Sequence, residues 1–288
     1  MKNIGIGTYA FGFTNGMTLS DKLKAAGDMG YSGIEFLAMD LQEHSTEQLR
    51  DMLAENGLTA MSAHAGMEQL PVLMPKLAQL GAPMIVCPGH PFADIEEAKA
   101  LVRLLEEQGK AARDLGMKVG YHNHTSEFFE VDGKRLLDVV IEDSDPALVS
   151  FQLDCGWAAA AGVDCPAYID QFPGRFMAVH VKENNALTGP DKPRSAKEPP
   201  QENPFKLGPD GKPIMTEEVK AMFAAMQAKL KIQCPMGDHS SRIDWKLIKQ
   251  AVDKQPGECL WIVEREYDYK GDILACLRED CQWLAVNL

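Results

Sequence analysis

The sequence has no excess of basic residues and no apolar run of membrane length. Its 29 Lys and Arg residues are outnumbered by 42 Asp and Glu residues, and the net charge is −13. This balance argues against a nucleic-acid partner, because phosphates are bound by basic surfaces, and against docking on an anionic membrane. The apolar runs are far shorter than the ~18–20 residues that a membrane-spanning helix needs. We therefore expect neither a nucleic acid nor a membrane among the partners.

The sequence shows no CxxC pair, and we expect no secretory leader at its start. The seven cysteines are scattered and form no CxxC pair, which favours reduced and mostly inert thiols in a cytoplasmic protein. Residues 1–16 contain one Lys and four glycines and lack the apolar core of a signal peptide. With 45% hydrophobic and 25% charged residues, the composition is that of a soluble globular protein.

A short apolar run, a polar turn and an amphipathic helical stretch recur along the chain. The runs are nearly continuous rather than alternating, as in parallel strands buried on both faces. We predict strands at Ile4–Thr8, Gly33–Leu37, Thr59–His64, Met84–Cys87, Lys118–His122, Val149–Asp154, Phe176–Val181 and Leu260–Glu264. Helices are predicted at Ser20–Met29, Ser45–Glu55, Asp94–Leu115, Met215–Leu230 and Lys246–Asp253.

Eight strands that alternate with helices predict a (β/α)8 TIM barrel, formed as a single domain by residues 1–288. The main alternative is a doubly wound open sheet. Such a sheet usually carries a glycine-rich phosphate loop after a strand, and neither GxGxxG nor GxxxxGK(S/T) occurs here.

A long insertion is predicted between the seventh and eighth strands. It begins with a stretch rich in Pro, Lys, Asn and Gly, and it occupies residues 184–240. Long insertions in compact domains are usually functional or disordered. After a barrel strand this segment would overhang the active-site face, so we interpret it as a lid.

Polar side chains end the fifth to eighth predicted strands. In a parallel barrel these ends converge on one face, which brings together Glu127, Asp154, His180 and Glu264. A lone Asp at such a position is more often a helix N-cap, and a lone His is more often a core residue. Their joint occurrence is what indicates a metal site, because three oxygen donors and one imidazole suit Mn²⁺, Mg²⁺, Co²⁺ or, less well, Zn²⁺.

Five segments carry a resemblance to a known family. In order between about residues 118 and 266, the segments YHNHTSEF, LDCGWAAAAGVD, PGRFMAVHVKE, SSRIDW and IVERE resemble the sugar phosphate isomerase/epimerase (xylose isomerase-like TIM barrel) superfamily. The resemblance implies one divalent metal ion, with Mn²⁺ favoured over Mg²⁺ and Co²⁺. Its ligands would be Glu127, Asp154, His180 and Glu264, with Glu130 as an alternative to Glu127.

The sequence departs from the family pattern at three places. Glu183 stands where an Asp is usual, residues 237–242 replace a usual Gly-Glu-Gly, and Trp157 stands where epimerases often carry a His. These departures bear on the substrate more than on the metal.

The resemblance implies a metal-dependent sugar isomerase or epimerase with a place in carbohydrate metabolism. Its substrate would be a ketose or keto sugar, converted through a metal-stabilised cis-enediolate. Removal of the acidified hydrogen beside the carbonyl and return of a proton on the other face give epimerisation. Glu127 and Glu264 are the candidate bases, and His122 and His124 are further acid/base candidates. Lys182, two residues beyond His180, would stabilise the enediolate oxygen.

Candidate substrate contacts are Glu35 and His64 at earlier strand ends, and Trp157. Two alternatives remain. The first is a lyase on the same site, either an inosose dehydratase-like enzyme or one that eliminates from 3-keto glycosides, as in C-glycoside deglycosylation. The second is a non-catalytic sugar-binding or partner subunit, against which the complete ligand set argues. A metal-dependent endonuclease is disfavoured by the net charge. A homo-oligomer or hetero-oligomer is left open.

Overall fold

The computed structural model describes residues 4–12, 16–199, 216–267 and 270–288. Within these residues eight parallel strands close into a barrel, because the first strand pairs with both the second and the last. The strands are β1 (Ile4–Gly7), β2 (Gly33–Leu37), β3 (Thr59–His64), β4 (Met84–Cys87), β5 (Lys118–His122), β6 (Val149–Asp154), β7 (Phe176–Val181) and β8 (Leu260–Val263). The predicted TIM barrel is confirmed, and closure excludes the doubly wound open sheet.

Helices lie between the strands along the chain. They are α1 (Leu19–Met29), α2 (Ala38–Glu43), α3 (Thr46–Glu55), α4 (Leu70–Gln79), α5 (Ile95–Asp114), α6 (Leu136–Asp143), α7 (Cys155–Ala161), α8 (Cys165–Gln171), α9 (Glu217–Leu230), α10 (Trp245–Asp253) and α11 (Ile273–Asn287). Single 3-10 turns follow β1 at Thr8–Phe11 and β5 at Ser126–Phe128, and a small hairpin pairs Glu130–Val131 with Lys134–Arg135.

Helix starts follow capping chemistry. Ser45 caps α3, since its hydroxyl accepts from the Gln48 amide while the Gln48 side chain accepts from the Ser45 amide, which is a capping box. The predicted start of the first helix at Ser20 was wrong. Thr18 caps α1 in a reciprocal pair with Asp21, so the helix begins at Leu19.

Side chains fill the interior of the barrel. Met61, Met84, Val86, Ala178 and Ile262 form a separate buried cluster. Glycines make room for it: a Cβ on Gly5 or Gly33 would lie 2.3 or 2.6 Å from the Met61 side chain. The larger hydrophobic core surrounds this cluster, between the strands and the helices. A packed interior leaves the carboxyl ends of the strands as the face on which a site can form.

The described parts of the predicted insertion are residues 184–199 and 216–240, while residues 200–215 lie outside the described chain. Its first part is fastened to the barrel. Ser195 Oγ donates to Glu97 Oε1 over 2.6 Å, the Ala196 amide donates to Glu97 Oε2 over 3.2 Å, and Thr125 Oγ1 donates to Asp191 over 2.5 Å. These bonds hold the segment near the ends of β4 and β5. Its action as a lid stays a prediction.

Among the described helices, none combines the length and the apolarity needed to cross a membrane.

Candidate metal centre

Four neighbouring strands bring together, at the carboxyl end of the barrel, four side chains that could bind a metal ion. His122 ends β5, Asp154 ends β6, His180 lies near the end of β7 and Glu264 directly follows β8. One ligand atom from each lies within 4.8 Å of the others. Three of the four predicted ligands are thus in one group, which we call the ligand group, and its fourth member is His122.

The predicted ligand Glu127 lies outside the ligand group. It sits on the 3-10 turn after β5, where Oε1 accepts from the Tyr121 hydroxyl over 3.0 Å. Its Oε2 accepts from the His124 amide over 2.9 Å and from Ser126 Oγ over 3.0 Å. The carboxylate therefore orders its own loop. Glu130, the alternative ligand, is exposed on the hairpin beside Arg135.

One oxygen of the ligand group is buried and accepts no hydrogen bond from the described residues. Asp154 is fully buried, and its Oδ1 accepts from the Trp157 amide over 2.7 Å. Within the described chain its Oδ2 has no hydrogen-bond partner, which is rare for a buried carboxylate. Burial, with repulsion from Glu264, raises the pKa of Asp154 to about 7 against the attraction of Lys182. A divalent cation would supply the missing partner, so these residues fit a metal ion.

Lys182 is a buried cation beside the ligand group. Its Nζ lies 2.7 Å from Glu266 Oε2, 3.3 Å from Glu264 Oε1 and 3.4 Å from Asp154 Oδ2. Burial opposes its charge, but these carboxylates hold its pKa above the usual range. Gly156 is required here, because a Cβ would lie 2.6 Å from Lys182 Cγ. Lys182 therefore offsets negative charge within the protein.

The three predicted substrate contacts, Glu35, His64 and Trp157, differ in burial and in the residues that they contact. Glu35 is 4% exposed, and although burial alone would raise its pKa, His64 and His180 lower that pKa to about 2. His64 is half-buried and stacks on His180 with ring centroids 5.3 Å apart. Trp157 is buried under Lys182, whose Nζ lies 4.4 Å from its ring centroid.

A cavity of about 510 Å³ opens over the ligand group. Polar side chains on its wall are Thr8, Tyr9, Glu35, Gln42, His64, Gln69, His122, His124, His180, Glu264 and Glu266. Sequence reasoning missed Tyr9 and Glu266, whose side chains are joined by a 3.1 Å hydrogen bond. Their positions in the sequence could have identified them, because Tyr9 lies just after β1 and Glu266 lies two residues beyond Glu264. Trp157 and Lys182 are not among the lining residues.

Comparison with known proteins agrees with this architecture. Residues 23–285 match the family model of the xylose isomerase-like TIM barrel. The inosose dehydratase of Clostridium beijerinckii is 29% identical over 101 residues, which are 35% of this chain and 33% of that protein. The matched region thus spans about a third of that curated relative.

Two solved structures share the fold. A sugar phosphate isomerase/epimerase from Parabacteroides distasonis superposes with a TM-score of 0.68 at 19% identity, over 99% of this chain and 94% of that one. The IolI protein with a bound zinc atom superposes with a TM-score of 0.68 at 14% identity, over 98% and 96% of the two chains. At these identities the likeness shows the fold alone.

Proposed function

Because the chain belongs to the xylose isomerase-like TIM barrel family, we propose that it is a metal-dependent isomerase or epimerase of a ketose or keto sugar. One observation carries this proposal: the buried ligand group beside the cavity, in which Asp154 Oδ2 lacks a hydrogen-bond partner among the described residues. Lys182 offsets part of the negative charge, but a non-catalytic barrel would have no reason to gather two carboxylates and two imidazoles at this place.

We assign His122, Asp154, His180 and Glu264 as the residues that hold the ion. A divalent ion there would polarise a substrate carbonyl and acidify the adjacent C–H group. Mn²⁺ remains the first choice, with Mg²⁺ and Co²⁺ as alternatives. His122 adds a second imidazole to the ligand group, and because imidazole suits zinc, Zn²⁺ becomes a stronger alternative. The IolI protein, which shares the fold, was solved with a bound zinc atom.

The protein supplies groups for proton movement on two sides of the cavity. Glu264 and His124 both line it, and they follow β8 and β5, which are not neighbours in the barrel. Glu264 would take the proton beside the carbonyl and His124 would return one from the other face. Lys182 would balance the charge of the three carboxylates around it, instead of contacting the substrate oxygen.

A lyase reaction on the same site is the second candidate, favoured by two observations. Glu127 is held by its own loop, so the pair of carboxylate bases that the sequence suggested is not assembled. The inosose dehydratase relative is itself a lyase by name. In that reaction the proton beside the carbonyl leaves first, and a β-hydroxyl or β-alkoxyl then leaves as water or an alcohol.

We expect His122→Ala to weaken Mn²⁺ binding by ~100-fold or more, since it removes a ligand and not merely a residue that orients one. Glu127→Gln should keep the affinity within about threefold of wild type, because Glu127 lies outside the ligand group. Isothermal titration with Mn²⁺ checks both, and Glu130→Gln on the exposed hairpin is the matched control. An equal loss in Glu127→Gln would make Glu127 the ligand.

The reaction class is tested by proton exchange. The Mn²⁺-loaded protein is incubated in D₂O with free ketoses and with 3-keto glycosides, and the mixtures are followed by NMR. We expect deuterium at the carbon beside the carbonyl, together with an epimer or isomer, because the proposed base exchanges its proton with solvent. Loss of a β-substituent would identify the lyase. Absence of exchange with every compound would contradict the proposed function.

A further inference from the structure

A closed hydrogen-bond network lies directly behind the ligand group. Its centre is the pair Glu35 on β2 and Gln152 on β6, which are 4% and 0% exposed. Gln152 Nε2 and Ser62 Oγ both donate to Glu35 Oε2 over 2.6 Å. The contact between residues 35 and 152 crosses the barrel interior, so it is formed only in the folded chain.

The direction of each bond in this network follows from one fact. An ionised carboxylate accepts hydrogen bonds and cannot donate, so Gln152 must turn its NH₂ group toward Glu35. Its Oε1 then faces His122 Nδ1 at 3.1 Å and His64 Nε2 at 2.7 Å. An amide oxygen only accepts, and therefore both of these ring nitrogens carry a proton.

The same argument determines which ring nitrogen of His122 and which of His180 donates to the network and which faces the ligand group. With its proton on Nδ1, a neutral His122 has its lone pair on Nε2. Glu35 Oε1 accepts from His180 Nε2 over 2.7 Å, so Nδ1 is the His180 nitrogen that faces the ligand group. There Nδ1 donates to Glu264 Oε2 and lies 4.0 Å from Asp154 Oδ2. A metal ion would therefore displace the Nδ1 proton of His180, whereas Nε2 of His122 is already unprotonated.

We propose that Glu35 and Gln152 are positioning residues that together fix the tautomers of both histidine ligands. The proposal rests on the metal site of the proposed function. It replaces the sequence prediction that Glu35 contacts substrate, because both Glu35 oxygens are already engaged. It also explains why His64, His122 and His180 form a second close group: Gln152 and Glu35 bind nitrogens of all three rings, which makes a second ion unnecessary there.

The test uses the fact that Glu35 only accepts hydrogen bonds, whereas the Gln152 amide donates to it. In Glu35→Gln, either the two amides present NH₂ groups to each other, or one of them turns and presents NH₂ to a histidine N–H. Every arrangement sets two donor groups against each other, which either breaks the contact between residues 35 and 152 or opposes a histidine tautomer, so we expect Mn²⁺ affinity to fall by ~10–100-fold. In the double variant Glu35→Gln/Gln152→Glu, the amide again donates to a carboxylate, and all the histidine N–H groups again meet oxygen acceptors. This exchange should restore the affinity to within about threefold of wild type.

Mn²⁺ binding is measured by titration calorimetry, and coordination by the visible absorption spectrum of the Co²⁺-loaded proteins. Glu258→Gln, an exposed change of the same kind, is the control and should match wild type. Unchanged affinity in Glu35→Gln would overturn the inference, and so would a double variant no better than the single one. A wild-type protein that binds no Mn²⁺, Co²⁺ or Zn²⁺ would instead contradict the metal site of the proposed function, and the inference with it.

Discussion

Replacing Asp154 with asparagine is expected to abolish activity and to weaken Mn²⁺ binding by more than the ~10–100-fold cost of losing a residue that only orients a ligand. The reason lies in the two oxygens of the side chain. Oδ2 is the buried atom without a hydrogen-bond partner among the described residues, and the neutral amide that replaces it is a poor metal ligand. Oδ1 accepts from the Trp157 amide at the start of α7, and an asparagine oxygen can do the same.

The Asp154→Asn protein should therefore fold normally and lose only its response to metal. We expect Mn²⁺ to raise the melting temperature of the wild type, since it binds only the folded chain, and to leave that of the variant unchanged. Asp164→Asn is a matched control, because Asp164 also caps a helix, accepting from the Ala167 amide at the start of α8. Undiminished Mn²⁺ binding by Asp154→Asn would show that the ligand group does not hold the ion.

The barrel strands were predictable because each is a short apolar run ended by a turn. Six of the eight predicted strands match the observed bounds, and β1 and β8 end one residue earlier than predicted. Short helices were harder. In α7 the sequence Cys155–Ala161 continues the apolar run of β6 without a change of period, and only the cap at Asp154 marks the boundary. Periodicity needs about three turns to identify a helix, and α7 has seven residues.

The members of the ligand group were predictable where the residue lies at or next to the end of its strand. Asp154, His180 and Glu264 satisfy this condition, and the parallel barrel brings them together. Glu127 was favoured by residue type, but it lies five positions beyond the end of β5, where the 3-10 turn directs its carboxylate to the His124 amide. His122 is the last residue of β5 and so does lie at a strand end, but we predicted an acid/base role for it and not a ligand role. The pairing of Glu35 with Gln152 depends on strand register across the barrel, which no local pattern reveals.

Asp280→Asn is expected to destabilise the protein by about 3–5 kcal/mol, the usual cost of breaking a buried ion pair. Asp280 lies on α11, and Arg265 is the second residue after β8. Arg265 Nε donates to Asp280 Oδ2 over 2.6 Å and Arg265 Nη2 to Asp280 Oδ1 over 2.9 Å, with both residues buried. Two further guanidinium bonds reach the Cys234 carbonyl over 3.1 Å. An uncharged residue at position 280 would remove the carboxylate that pairs with this buried guanidinium.

The loss is measured by urea unfolding of the metal-free protein at neutral pH. Asp253→Asn is the control: it breaks an exposed ion pair with Lys249, and such pairs contribute little to stability. The double change Arg265→Met/Asp280→Leu should recover most of the loss, because apolar side chains of similar size remove the buried charge along with its partner. A loss of stability below about 1 kcal/mol would show that the ion pair is not needed to hold β8 against α11. Because Arg265 lies between Glu264 and Glu266, we also expect Asp280→Asn to weaken Mn²⁺ binding.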